Sequence, residues 1–103
     1  MYVTIRSYEG VRFPEEAAAK VRDQFLPIVS KISGFQEYYA IKTGDSTVAS
    51  VSIFKDKPGA EESVRSARMW IQKEMMRYLP NPPKVISGQT IAHTAARASK
   101  SAA

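Results

Sequence analysis

Few side chains in this 103-residue sequence could do chemistry, and their types narrow what that chemistry is. His93 is the only histidine, hence the only side chain with an unperturbed pKa near neutrality and the natural candidate for a general base. It stands at the end of the last patterned strand, where a solvated terminal histidine is the plainer reading. Cysteine is absent, which removes disulfides, thiolate nucleophiles and cysteine metal sites. One histidine and scattered carboxylates lack the clustered spacing of a transition-metal site. The glycines match neither a phosphate-cradling loop nor a dinucleotide fingerprint, and no Ser–His–Asp set is suggested. No metal and no cofactor is expected. The remaining candidates are aromatic: Trp70, Tyr78 and Tyr39, with Tyr38 beside the last.

Each aromatic has a functional and a structural reading. Trp70 falls beside the apolar stripe Val64–Ala67–Ile71–Met75 of a helical segment, near Lys73, Glu74 and Arg77. It could contact a ligand, or cover the edge of the core and stack on a basic neighbour. The tyrosines could hydrogen-bond a substrate carbonyl or hydroxyl, or be core aromatics with the hydroxyl at the edge. Tyr38 and Tyr39 are adjacent on a strand, so they face opposite sides of the sheet. Tyr39 shares phase with Phe35 and Ile41 and is expected to face the helices.

The elements that must position these residues are legible. Residues 2–8 alternate, with Val3 and Ile5 on one side and Tyr2, Thr4, Arg6 and Tyr8 on the other, which is a strand. Phe13-Pro14-Glu15-Glu16 opens a helix, with proline in the first turn and carboxylates at the positive end of the helix dipole. Val21, Phe25, Ile28, Val29 and Ile32 continue it as one stripe; Pro27 predicts a kink or break, and Ser33-Gly34 the stop. Residues 35–42 and 47–54 form a strand pair across Thr43-Gly44-Asp45. Lys57-Pro58-Gly59 begins a second helix, which the Leu79–Pro83 run ends. Residues 85–93 make the last strand, with a bulge at Gly88, and 95–103 a frayed tail.

The order strand, helix, strand, strand, helix, strand predicts a ferredoxin-like α+β domain over 1–94: a four-stranded antiparallel sheet with two helices on one face. With 24% charged and 44% hydrophobic residues the composition is that of an ordinary globular chain, able to bury one modest core. No apolar run approaches a membrane span and the chain opens straight into a strand pattern, so a soluble cytoplasmic protein is the default. The net charge of +5 favours anionic partners without bearing on the fold.

The chain resembles the antibiotic-biosynthesis-monooxygenase-like proteins of the dimeric α/β-barrel group. The resemblance runs over roughly 2–94. It is carried by Ser33-Gly34-Phe35 with Tyr38-Tyr39, by Val51-Ser52-Ile53-Phe54-Lys55-Asp56, and by Trp70 midway along the second helix. It implies a homodimer packed through sheet faces and a cavity between helices and sheet. It also implies, for several members, oxidation of aromatic polyketides or quinols by oxygen without a cofactor. On that basis Trp70 would stack on a phenolic or quinol substrate and Tyr39 or Tyr78 would hydrogen-bond its oxygen. Phase and periodicity add Phe25, Val51, Ile53, Ile71 and Met75 as pocket lining. The group's haem degraders combine an asparagine on the first strand with a tryptophan and a histidine on the second helix. Here the first strand carries Ser7, the second helix has no histidine and the only asparagine is Asn81, so haem degradation is rejected.

The polar and aromatic side of the sheet (Tyr2, Arg6, Tyr8, Tyr38, Ser52 and Phe54) is expected to meet its twin across a two-fold axis. RNA binding competes, because RNA-recognition motifs share this element order. Residues 47–54 lack the basic-Gly-aromatic signature of such a motif, and Arg65, Arg68, Lys73 and Arg77 lie on the helix, so nucleic acid is disfavoured. A non-catalytic dimeric binding or assembly module stands as the alternative to an enzyme.

Overall fold

The computed structural model describes residues 1–96. Strands β1 (Tyr2–Glu9), β2 (Phe35–Lys42), β3 (Thr47–Phe54) and β4 (Lys84–Gln89) form one antiparallel sheet in the order β2-β3-β1-β4. Helices α1 (Pro14–Lys20), α2 (Leu26–Val29) and α3 (Lys57–Glu74) cover one face. The ferredoxin-like α+β arrangement is as the element order predicted. The last strand is shorter than expected, ending at Gln89, and Gly88 pairs regularly with Val3 rather than forming a bulge. Most of the expected tail, 97–103, lies outside the described residues. Among those described, no helix is long and apolar enough to cross a membrane.

Pro27 neither breaks nor sharply ends the first helical segment. Proline has no N–H to return to the Asp23 carbonyl, so the preceding turn widens: Val21–Phe25 is π-helical, and the Leu26 N–H reaches the Val21 carbonyl five residues back. This widened turn joins α1 to α2 and leaves Phe25 fully buried in the core. At the opposite corner Gly34 takes φ +85°, a left-handed conformation that glycine adopts without strain. The nearby Gly59 lets the start of α3 sit on Phe54. A Cβ there would stand 2.6 Å from the Ser33 carbonyl oxygen and 2.8 Å from the Phe54 ring.

The two faces of the sheet are the reverse of the expected assignment. Thr4, Arg6, Tyr8, Ser50, Ser52 and Phe54 are buried beneath the helices, with Tyr2 and Tyr38 half-buried on the same side. The expected dimer surface of Tyr2, Arg6, Tyr8, Tyr38, Ser52 and Phe54 is therefore the inner face, and it is no platform for bases. The open face carries the aliphatic residues instead. Ile86, Ile5, Val51 and Tyr39 are successive cross-strand partners and form one row across all four strands, next to Val3 and Ile53.

Two physical reasons account for the reversal. First, packing outweighs polarity: Phe35 packs edge-on to Phe54, and Tyr38 edge-on to Phe25, so the aromatic side joins the helices. Second, β2 is irregular between Phe35 and Glu37. This extra residue puts Phe35 in phase with Tyr38 and turns Tyr39 outward.

Candidate ligand cavity

Under the helices lies a cavity of about 230 Å³. Its existence follows from side-chain size, because Ala17, Ala18, Ala40 and Ala67 converge on it from α1, β2 and α3. Four methyl groups leave unfilled the space that larger side chains would take. Phe25, Trp70, Ile71 and Met75 supply its apolar bulk. Trp70 tilts over Phe25 with ring centroids 5.2 Å apart, and its indole N–H donates to Gln24 Oε1 at 3.1 Å. Both partners come from the π-helical turn, so the irregularity imposed by Pro27 is what presents them to the tryptophan. At the rim, Lys42 and Glu15 pair across the gap between β2 and α1 at 3.7 Å.

The polar part of the lining comes from the sheet: Arg6 and Tyr8 on β1, Tyr38 on β2 and Ser50 on β3, the last directly opposite Arg6. Arg6 is 4% exposed, makes no salt bridge among the described residues, and leaves Nε and Nη1 without hydrogen-bond partners. Ser50 Oγ is likewise buried and unpaired. Burial pushes the Tyr8 phenol above its ordinary range against the opposing pull of the Arg6 charge, with Tyr38 adding to the rise. Burial raises Tyr38 in the same way, opposed chiefly by the Arg6 charge. Both phenols therefore stay protonated at neutral pH and act as hydrogen-bond donors. A second cavity, about 320 Å³, lies on the far side of Arg6, Tyr8, Ala67, Ile71 and Leu79, which line both. Its outer wall is the Pro80–Pro83 turn.

The residues singled out from sequence are thus divided. Trp70, Phe25, Ile71 and Met75 come together at the first cavity. Val51 and Ile53 do not: they lie on the open sheet face, because their phase is that of Ile5 and Val3. Tyr39 is also outside, 49% exposed and hydrogen-bonded to Glu37. Tyr78 is buried beyond the helix end, its hydroxyl donating to Glu16 Oε1 at 3.4 Å and its ring edge-on to Phe13, away from both cavities. His93 is exposed and lines neither. Sequence reasoning missed Arg6, Tyr8 and Ser50 as cavity residues. The available signal was that both faces of β1 and β3 carry apolar groups, so alternation alone did not mark which face lies under the helices. Among the described residues no cluster of three or more histidines and carboxylates gathers that could hold a metal.

No protein-family model matches the chain, and no curated protein sequence matches it. Solved structures do. A Nitrosomonas europaea protein of unknown function, NE2512, superposes with TM-score 0.73 at 22% identity over 92% of this chain and 93% of its own. A monooxygenase from the gene ActVA-Orf6 of Streptomyces coelicolor, in complex with the ligand Nanaomycin D, does so with TM-score 0.71 at 14% identity over 92% and 91%. A candidate antibiotic biosynthesis monooxygenase, also from Nitrosomonas europaea, gives 0.68 at 16% identity over 89% and 100%. At such identities the likeness is one of fold. This chain has the ferredoxin-like fold of the antibiotic-biosynthesis-monooxygenase-like proteins, the family its sequence resembles.

Proposed function

We propose that this protein binds a small aromatic ligand in the cavity between helices and sheet, as a homodimer paired through the aliphatic open face, and oxidises a phenolic or quinol compound there without a cofactor. The observation that carries the reading is the cavity itself. Its walls are the Trp70–Phe25 pair and Met75, and its polar lining is a buried cation beside two protonated phenols. An apolar slot with few convergent polar groups is the usual form of a small-molecule site. At about 230 Å³ it exceeds the roughly 150 Å³ of an engineered cavity known to take up benzene. The same-fold monooxygenase holding Nanaomycin D supports an aromatic occupant.

In this reading Trp70 and Phe25 hold the ring, and the donors on the sheet bind its oxygen. Stabilising negative charge on that oxygen makes the ring a better electron donor to O2. The reaction balances without an external reductant: one oxygen atom replaces the ring hydrogen para to the hydroxyl, giving a quinone, and the other leaves as water. The test is oxygen uptake with a panel of phenols and quinols. Trp70→Ala should cut uptake at least tenfold while the variant still melts cooperatively. Unchanged turnover in a folded variant removes Trp70 from the role. No turnover with any substrate, combined with ligand-induced stabilisation, would favour the non-catalytic binding module.

A further inference from the structure

Arg6 is the least expected side chain in the core. It sits mid-strand on β1, between the two cavities and 4% exposed, with two of its nitrogens unpartnered. A buried guanidinium is costly unless something neutralises it, and no carboxylate of the described chain comes within salt-bridge distance. Its cross-strand neighbour Ser50 also presents an unpaired hydroxyl to the same cavity. Three buried polar atoms from adjacent strands thus lack partners at one place in an otherwise apolar lining. The only carboxylate in that lining, Glu15, is engaged by Lys42 at the rim with its side chain 84% exposed.

We infer that the cavity is built for an aromatic carboxylic acid, its carboxylate on Arg6 and Ser50 and its ring system against Trp70 and Phe25. The carboxylate supplies the missing counter-charge and accepts from Arg6 and the Ser50 hydroxyl. The alanines leave room for the flat hydrocarbon part. The inference rests on the cavity being the ligand site of the preceding reading, but not on any turnover there.

Calorimetric titration with 2-naphthoate and its neutral isostere 2-naphthamide tests it. The wild-type protein should bind the acid at least ~10-fold more tightly, the scale of a charge-assisted hydrogen bond in a water-poor site. Arg6→Met should bring the two affinities within about threefold of each other by weakening the acid alone, whereas Arg6→Lys keeps a preference for it. Ser50→Ala should weaken naphthoate several-fold and leave naphthamide unchanged; it decides the matter if Arg6→Met does not fold. Equal affinities in the wild type, a preference that survives Arg6→Met, or binding of neither probe would overturn the inference. Oxygen uptake is scored separately. A protein that prefers the acid but oxidises no phenol retains this inference and loses the catalytic one, and the converse result does the opposite.

Discussion

The proposed sheet-face dimer would bury the row Ile86–Ile5–Val51–Tyr39, which makes it a quantitative matter. Ile86 is 67% exposed in the single chain, so substituting it with alanine scarcely touches the core. Ile86→Ala removes about three carbons at ~0.8 kcal/mol each when fully buried. Two-thirds of that, or roughly 1.6 kcal/mol, is available for burial by a partner. A two-fold interface contains the position twice, which doubles the loss to ~3 kcal/mol and raises the dimer Kd by roughly 100-fold. Sedimentation equilibrium over a range of chain concentrations reads that shift directly. Thermal melts below the Kd should place wild type and variant within ~0.5 kcal/mol of one another. Met69, 70% exposed on α3, is the control: Met69→Ala removes comparable exposed apolar surface from the helical layer and should leave Kd unchanged. A wild type that stays monomeric at the highest concentrations, or an equal loss of dimer in both variants, would refute the argument.

Further outcomes follow from the inner packing. Gly59→Ala would be worth up to ~1 kcal/mol in an exposed helix interior, but here the new methyl collides with the Ser33 carbonyl and Phe54. It should lower stability by about 1–3 kcal/mol, and a raised Tm would show that the α3 start is looser than described. Ala67, 2% exposed, lines both cavities, so Ala67→Leu should abolish naphthoate binding while keeping or slightly raising Tm; retained affinity would mean that the ligand sits elsewhere. Tyr8, Tyr38 and Tyr39 all titrate above the ordinary 10.0, the first two through burial and Tyr39 through its hydrogen bond to Glu37. A raised folded-state pKa stabilises the fold fully below the unfolded value and loses that contribution as pH climbs through the higher one. Phenolate absorbance should therefore lag in the folded protein, with stability falling on the alkaline side of pH 10; simultaneous ionisation of all five tyrosines would contradict the buried placement.

The kind and order of the elements could be read from the chain because both are local properties. Val3 and Ile5 alternate with Thr4 and Arg6, which only a strand accommodates; the end of α3 was less legible, since the helix stops at Glu74, ahead of the Leu79–Pro83 run expected to end it. Even the disturbance at Pro27 was visible, although its form was not. A missing N–H guarantees a lost bond, but only the packing of Phe25 and Trp70 decides that the turn widens rather than breaks. The position of Trp70 next to Ile71 and Met75 likewise follows from helical spacing.

The choice of sheet face is not a local property. Both faces of β1 and β3 carry enough apolar surface to be buried, and alternation is symmetric between them. The decision came from aromatic packing across elements and from one extra residue in β2 that exchanges the roles of Tyr38 and Tyr39. Arg6 moved with that choice, from an expected interface to the inside of a cavity. The cavity is itself a tertiary product, since it exists where alanines from three separate elements meet. Four strands, a helical layer and their order are written locally in the chain, because periodicity and proline act within a few residues. Which side holds the cavity emerges only in three dimensions, because that depends on which distant side chains fill the space between the layers and which leave it empty.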